Sequence, residues 1–359
     1  MAAASGTRRP IVGMLVGRRL IKTKSMITLM RASHRVNTRL YFFGAEGVDF
    51  KRKTMTGIRY NSRQRRWEKK TVRLPDVLYV RGGSSASVRR VARRMDRMGI
   101  PKINALVRFS KSELFEKLQR DERIRPYLPF TIALRDLQDA RQYVRKLGKV
   151  YIKAIYGRKG TKVMRVVKRS SGYHYSYAVI DRLVRKKVRH FKDLKQHMKH
   201  FFGGRKLLVQ EAVDVVRIGR RQAVDFRAEL QRDGEGALQI SGICMRVGRK
   251  GSPITTHNAA YKMKDHLQEL FPHYTKKEIR DLKQRIEGFV ILVHQAVEKC
   301  YGGFGELGID FGVDKRGQIW LFECNAQSAK VSIRKAYGSH TRKKIYLNPL
   351  QYAKFLAKK

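Results

Sequence analysis

Two short stretches near the carboxyl end of the chain have the pattern of β-strands joined by a tight turn. Apolar and polar residues alternate in residues 305–313 and again in residues 318–325, and a period of two is typical of a strand. Between them lies Asp314-Lys315-Arg316-Gly317, in which the aspartate favours turn initiation and the glycine supplies a positive φ. We therefore predict a β-hairpin, whose register restricts which side chains share a face.

This hairpin concentrates oxygen ligands in a chain that has few acidic residues. Glu323 and Asn325 must lie on one face because the side chains of a strand alternate. If Val313 pairs with Gln318, Asp310 lies on the same face, diagonal to Glu323 at about 7 Å. Carboxylate and amide oxygens are the ligands that Mg²⁺ prefers. The hairpin thus predicts a magnesium site, and an ordinary solvent-exposed hairpin is the alternative.

The net charge of the chain restricts its partners. Its 359 residues include 81 Lys and Arg against 29 Asp and Glu, a formal net charge of +52. Such an excess attracts phosphates, polyanions, anionic membranes or acidic substrates. The basic residues are dispersed along the sequence, and no homeodomain, zinc-finger, RNP or leucine-zipper pattern accompanies them, which disfavours a reader of nucleic-acid sequence.

Cysteine usage and the amino-terminal apolar run bear on the compartment. Cys244, Cys300 and Cys324 form no Cys-x-x-Cys pair, which argues against a zinc site or a disulfide framework and favours a reducing interior. The apolar run at residues 11–16 is too short for a signal sequence or a membrane span and is typical of a first strand. We expect a cytoplasmic protein without a transmembrane segment.

The length of the chain predicts two or three domains. Strand patterns occur at residues 11–16, 39–43, 77–80, 150–155, 162–167, 207–211, 225–231 and 240–247, and helix patterns at residues 85–98, 104–118, 136–147 and 275–300. Asn348 and Pro349 have the residue types of an N-cap and a first helical position, so they predict the start of a last helix.

A lysine followed by a glycine-bearing loop indicates phosphate contact. Lys153 lies near the end of a predicted strand, and Gly157 and Gly160 lie in the loop that follows. Glycines allow backbone amides to approach a phosphate closely. A plain turn is the alternative for this Gly-x-x-Gly pattern when it is considered alone.

The order of these features resembles the ATP-grasp superfamily, and more closely the YheC/YheD family of endospore coat-associated bacterial proteins. The segments that carry the resemblance are Leu74–Arg81, Lys111–Glu113, Arg125–Pro129, Asp225–Arg227 and the final hairpin. It implies an α/β (α+β) fold, with a pre-ATP-grasp α/β domain at residues 1–103. Two lobes with antiparallel sheets would follow, residues 104–206 with a glycine flap and residues 207–359 with the metal-binding hairpin.

The resemblance also implies a role for each candidate residue. Nucleotide binding is implied for Lys111 and Lys153 at the phosphates, Gly157 and Gly160 in the flap, Gln210 and Glu211 at the adenine, and Asn258 at a phosphate or the substrate. Arg227 and Arg246 resemble arginines that hold a phosphate or an acyl-phosphate intermediate, and Asp310, Glu323 and Asn325 match the Mg²⁺ ligands.

The implied function is that of an ATP- and Mg²⁺-dependent ligase of the carboxylate-amine type, which forms a C–N bond through an acyl phosphate and converts ATP to ADP. Two Mg²⁺ ions are expected, with Mn²⁺ as a substitute, together with an acidic substrate and association with the spore coat. The alternative is a basic nucleotide-binding or coat-structural protein that binds polyanions without turnover, an interpretation based on the +52 charge.

Overall fold

The computed structural model describes residues 9–157, 161–179, 182–219, 222–248 and 259–358. Gly160 and Asn258, two of the predicted site residues, lie outside these ranges. The α-helices of the described ranges are α1 Lys24–Arg35, α2 Ala86–Arg97, α3 Lys111–Leu118, α4 Ala140–Leu147, α5 Phe191–Phe202, α6 Leu267–Leu270, α7 Lys276–Tyr301, α8 Val331–Ala336 and α9 Ser339–Leu356. Among the described residues, no helix combines the length and the apolar composition that a membrane crossing requires.

The first sheet is mixed and has the order β4-β3-β2-β1-β5. Its strands are β1 Ile11–Leu15, β2 Arg39–Asp49, β3 Thr54–Asn61, β4 Arg66–Arg73 and β5 Val77–Val80. The central strand β1 pairs in parallel with both β2 and β5, and all of its residues are buried, as expected of a parallel strand covered on both faces. Helices α1 and α9 pack on one face and α2 on the other.

The second sheet is antiparallel and has the order β10-β9-β8-β7-β11-β6. Its strands are β6 Thr131–Ala133, β7 Lys149–Ala154, β8 Val163–Arg169, β9 Gly172–Val179, β10 Arg182–Val188 and β11 Leu207–Glu211. Helices α4 and α5 pack on one face. The predicted boundary between residues 206 and 207 falls immediately before β11, a strand that belongs to this sheet.

The third sheet, also antiparallel, has the order β15-β14-β13-β16-β17, and β12 pairs with β13 outside this path. Its strands are β12 Arg217–Ile218, β13 Gln222–Arg232, β14 Leu238–Val247, β15 Ala260–Lys262, β16 Glu306–Val313 and β17 Ile319–Asn325. Its apolar face packs on α7 in the largest core cluster. The predicted fold class, α+β with antiparallel sheets, is confirmed.

The predicted helix at residues 104–118 begins later, at Lys111. The side chain of Asn104 accepts a hydrogen bond from the backbone N–H of Glu306 and donates to its carbonyl, both at 3.0 Å, so the first part of this segment is tied to β16 instead of being helical. Ser110 is the N-cap, with its hydroxyl accepting from the N–H of Glu113.

The prediction that the last helix starts at Asn348 and Pro349 was wrong. Helix α9 begins at Ser339, and both residues are buried in its interior. Proline has no N–H and leaves the carbonyl four residues earlier without a helical partner. The amide of Gln231 compensates by donating to that carbonyl, on Ile345, at 3.0 Å.

Candidate functional site

The carboxyl-terminal hairpin forms as predicted, but its register differs. Val313 pairs with Ile319 instead of Gln318, and a β-bulge places Asp310 directly opposite Glu323. The bulge is possible because residue 312 is glycine: a Cβ there would lie 2.5 Å from the ring of Phe322. The predicted positive φ of the turn glycine is confirmed, at 75° for Gly317. Asp310 and Glu323 therefore share a face as a direct cross-strand pair.

Charged side chains form one row across the third sheet, which we call the cleft row: Arg246, Asp225, Arg227, Asp310 and Glu323. Arg227 lies opposite Asp310 and donates to both of its carboxylate oxygens, from Nε to Oδ1 and from Nη2 to Oδ2. Arg246 lies opposite Asp225, donates to both of its oxygens at 2.7 Å and reaches Oδ1 of Asp310 at 2.9 Å. Ion pairs between neighbouring strands thus hold the row.

Strand alternation explains why these charges share one face. Phe226 and Phe311 point to the other face, where their rings stack at 5.2 Å within the core. Burial by itself would raise the pKa of Asp310, but Arg227 and Arg246 outweigh that effect and hold the pKa below its usual value. Asp310 is therefore a carboxylate at neutral pH.

Two lysines approach the cleft row from other elements. Lys111, the first residue of α3, lies with its Nζ 3.2 Å from Oε1 of Glu323 and 3.4 Å from the carbonyl oxygen of Gly157. Lys153 on β7 donates to Oε1 of Gln210 on β11. Burial, together with the charge of Lys111, outweighs the opposite effect of Glu323 and Asp310 and lowers the pKa of Lys153 to about 8.

The two residues predicted at the adenine differ in their surroundings. Gln210 is 2% exposed, and its side chain lies between Lys153 and Thr131, donating to Oγ1 of Thr131 at 3.1 Å. Its side chain therefore positions Lys153. Glu211 ends β11 and is tied to Phe130 by a backbone hydrogen bond of 2.8 Å.

The donor set on the hairpin fits a magnesium ion. Nδ2 of Asn325 donates to Oδ2 of Asp310 at 3.2 Å, which orients the amide so that its carbonyl oxygen is the atom that could act as a ligand. Within the described part of the chain, no group of three His, Cys, Asp or Glu side chains is arranged to hold a metal, so a site here depends on this amide oxygen beside Asp310 and Glu323. Hard oxygen donors of this kind suit Mg²⁺.

A second charged cluster lies beneath the cleft and was not predicted. We call it the buried quartet: Arg81, Glu229, Glu306 and Lys330. Nζ of Lys330 contacts Oε2 of Glu306 and lies 3.2 Å from Oε1 of Glu229, and Nη1 of Arg81 donates to Oε1 of Glu306 at 2.7 Å. The sequence contained one indication of Arg81. It directly follows the parallel strand β5, and functional polar residues often lie at the carboxyl ends of parallel strands.

Solved structures with a similar fold include two synthetases and an ATP-grasp ligase. D-alanyl-alanine synthetase A from Vibrio cholerae has a TM-score of 0.55 and 14% identity, over 98% of this chain and 97% of that one. The D-cycloserine synthetase DcsG has a TM-score of 0.56 and 12% identity, over 97% and 99%. The ATP-grasp ligase PsnB, solved with a precursor variant, Mg and ADP, has a TM-score of 0.55 and 12% identity, over 95% and 99%. The fold is therefore of the ATP-grasp class.

Sequence comparison identifies the family within that class. Residues 99–356 match the family described as YheC/D like ATP-grasp. Endospore coat-associated protein YheD of Bacillus subtilis is 25% identical over 340 residues, which cover 89% of this chain and 71% of that protein. The chain belongs to the YheC/D-like ATP-grasp family, as the resemblance predicted.

Proposed function

We propose that the chain is an ATP- and Mg²⁺-dependent ligase that joins a carboxylate to an amine. The observation that carries this proposal is the cleft row with Lys111 and Lys153 beside it. Four cationic side chains there meet three carboxylates, so the site has an excess of positive charge that a triphosphate would balance. The fold neighbours support it, since they are synthetases and ligases, one of them bound to Mg and ADP.

Each site residue in the described ranges has a role that its place supports. Lys111 and Lys153 would neutralise the phosphates, and Asp310, Glu323 and Asn325 would hold Mg²⁺, which when bound neutralises charge on the triphosphate. Arg227 and Arg246 would stabilise the charge that develops on the transferred phosphoryl group. Gly157 in the flap and Gln210 and Glu211 near the adenine would complete the site. For Gly160 and Asn258, which lie outside the described residues, we propose only the roles that the family resemblance implies.

The proposed chemistry has two displacements. A carboxylate oxygen of the acceptor attacks the γ-phosphorus, the bond from phosphorus to the ADP oxygen breaks, and an acyl phosphate forms. The nitrogen of an amine then attacks the acyl carbon, the carbon–oxygen bond to phosphate breaks, and the amine loses a proton as the C–N bond forms. Positioned cations suffice for the first step because phosphoryl transfer depends on charge neutralisation and alignment.

Nucleotide titrations with and without Mg²⁺ test the proposal. Asp310→Asn and Glu323→Gln should each weaken Mg²⁺-dependent ATP affinity about tenfold or more, since each removes a charged ligand. Glu122→Gln is the matched control, because the side chain of Glu122 is 87% exposed. If both variants fold and bind ATP with the affinity of the native chain, the metal assignment is wrong. Release of ADP that requires both an acid and an amine would support turnover.

A second candidate function rests on the surface charge. Residues 51–73, which include β3 and β4, contain ten Lys and Arg and one Glu. A segment of this charge attracts polyanions, and the name of the B. subtilis relative places that protein at the spore coat. A binding protein would show salt-dependent polyanion binding without ADP release, whereas substrate-dependent ADP release favours the ligase. A cytoplasmic origin with spore association is compatible with either function.

A further inference from the structure

The site continues beyond the cleft row into a cavity of about 590 Å³. Its floor includes Arg227, Arg246 and Glu323, and its far wall is built from residues 83–84, 107–109 and 325–333. Apart from Asn325, this far wall carries no role in the nucleotide site proposed above. Because the two regions share one cavity, a molecule bound at the far wall would extend towards the reacting phosphoryl group.

The far wall is a built surface held by one side chain. Oε1 of Gln327 accepts from the backbone N–H of Gly83 at 3.0 Å, and its Nε2 donates to the carbonyls of Gly83 at 2.9 Å and Val107 at 2.8 Å. The loop at residues 82–83 also approaches β1 closely: a Cβ on Gly82 would lie 1.8 Å from the carbonyl carbon of Val16. Three distant parts of the chain are thus fixed around the cavity.

Arg108 lies on this wall with its charge uncompensated. Its guanidinium carbon is 4.0 Å from the centroid of the Tyr156 ring, and within the described ranges it forms no ion pair with a carboxylate. Arg89 lies behind it and donates to the carbonyl of Ser84, and it also has no acidic partner among the described residues. Burial lowers the pKa of Arg108, and the charge of Arg89 lowers it further.

The other arginines of the cavity differ in this respect. Arg81, Arg227 and Arg246 each pair with a carboxylate of the chain at 2.9 Å or less. Two half-buried guanidinium groups near one another repel unless an anion lies between them. The stacking of Arg108 on Tyr156 fixes its plane, and a planar fork of N–H donors matches a carboxylate.

We infer that Arg108, supported by Arg89, binds a second carboxylate of the acceptor, so that the substrate is an acidic molecule such as an acidic peptide. This inference rests on the proposed ligase function, which supplies the first carboxylate at Arg227 and Arg246. A phosphate group on the acceptor would meet the same guanidinium groups. The experiment below distinguishes a phosphate from a carboxylate at this position.

Calorimetric titration of the full chain, saturated with Mg²⁺ and a non-hydrolysable ATP analogue, tests the inference. The probes are tri-glutamate, tri-glutamine and a phosphoserine tripeptide of similar length, at about 0.3 M salt, where screening acts beyond about 6 Å. Tri-glutamate should bind about tenfold or more tightly than tri-glutamine, and Arg108→Gln should remove that difference. Arg93→Gln is the matched control. It also removes one positive charge, at an exposed position of α2 one turn after Arg89, and should change the affinity less than twofold.

Additional variants separate a specific site from general charge. Tyr156→Phe keeps the aromatic face and should retain the preference for tri-glutamate, whereas Tyr156→Ala should reduce it. Equal binding of tri-glutamate and tri-glutamine, equal losses in Arg108→Gln and Arg93→Gln, or a preference for the phosphopeptide would each overturn the inference. Nucleotide affinity reports on the proposed function separately: Arg108→Gln should retain it, and a native chain that does not bind nucleotide refutes the ligase instead.

Discussion

The cleft row and the buried quartet use the same two strands but differ in balance and access. Glu229 lies two residues after Arg227 on β13, and Glu306 lies four residues before Asp310 on β16. In the quartet, two cations meet two carboxylates, and both carboxylates are 0% exposed. The cleft row with its two lysines has more cations than carboxylates. Both clusters border the same cavity, but Glu323 of the cleft row is 30% exposed, whereas Lys330 of the quartet is 2% exposed.

We infer from this difference that the quartet maintains the fold and that the cleft row binds a ligand. A balanced, buried cluster has a cation for each carboxylate, so a further ion adds little stabilisation there. An unbalanced, accessible cluster holds cations that are attracted to an anion. The predictions below test this separation by changing one cluster at a time.

The largest effect is expected in the buried quartet. Lys330→Met leaves Glu306 with Arg81 alone and Glu229 without its cation, so the free energy of unfolding should fall by about 3–5 kcal/mol. Lys343→Met, at an exposed position, should change it by less than about 0.5 kcal/mol. Denaturant unfolding measures both, and equal stabilities would contradict the structural role. The double change Glu306→Gln with Lys330→Met should recover part of the loss.

A substitution in the cleft row should reduce activity more than stability. Asp310→Asn should reduce turnover about 100-fold, since it removes a charge where the transition state is stabilised. Its loss of unfolding free energy should be smaller than that of Lys330→Met, because Arg227 can meet water in the cavity. Unfolding curves and ADP release from the same samples make the comparison. The reverse ranking would show that the two clusters do not differ as proposed.

The bulge that aligns Asp310 with Glu323 should be sensitive to one methyl group. Gly312→Ala places a Cβ 2.5 Å from both Phe322 and Val215, so overpacking should cost about 1–3 kcal/mol and weaken Mg²⁺-dependent nucleotide binding as the hairpin shifts. Phe322→Ala added to it should restore both quantities in part. A stable Gly312→Ala chain with unchanged Mg²⁺ dependence would show that the bulge does not set the site.

Lys153 should make nucleotide binding depend on pH. At about pH 8 half of the Lys153 side chains are neutral. Bound phosphates stabilise the ammonium form, as Glu323 and Asp310 do, and outweigh the repulsion from Lys111. Binding should therefore take up about half a proton at pH 8 and less at pH 7. Titrations in buffers of different ionisation enthalpy measure this uptake, and Lys153→Met should abolish it. Uptake that persists in the variant would exclude Lys153 as its source.

The same lysine affects stability with a defined sign. Its pKa in the folded chain, about 8, lies below the ordinary value of 10.5. Between these values the unfolded chain binds more protons, so the free energy of unfolding should rise with pH over this range. The native chain should show this rise more strongly than Lys153→Met.

The smallest effect is expected on the surface. Changing the exposed residues Arg65, Arg66 and Lys69 to Gln should alter the free energy of unfolding by less than about 0.5 kcal/mol and leave nucleotide affinity unchanged. The salt dependence of binding to a polyanion such as heparin should become less steep, because fewer counterions are released. An unchanged slope would show that residues 51–73 do not contact the polyanion.

Local patterns in the chain were sufficient for several elements. Strands β5 and β11 have the predicted bounds, and α7 begins at Lys276 after the Thr275 cap that closes a capping box with Glu278. Alternation and capping depend on residues within a few positions of one another. For the same reason alternation along β17 places Glu323 and Asn325 on one face, and the scarcity of acids made the hairpin recognisable.

Contacts between distant residues decided the rest. The inclusion of Pro349 in the interior of α9 is accommodated by Gln231, more than 100 residues away, which donates to the carbonyl that the proline leaves unpaired. The register at Asp310 depends on how Phe322 packs over Gly312, and Arg81 meets Glu306 across 225 positions. Such contacts have no local pattern, because their free energy arises only when the folded chain brings the partners together and removes them from water.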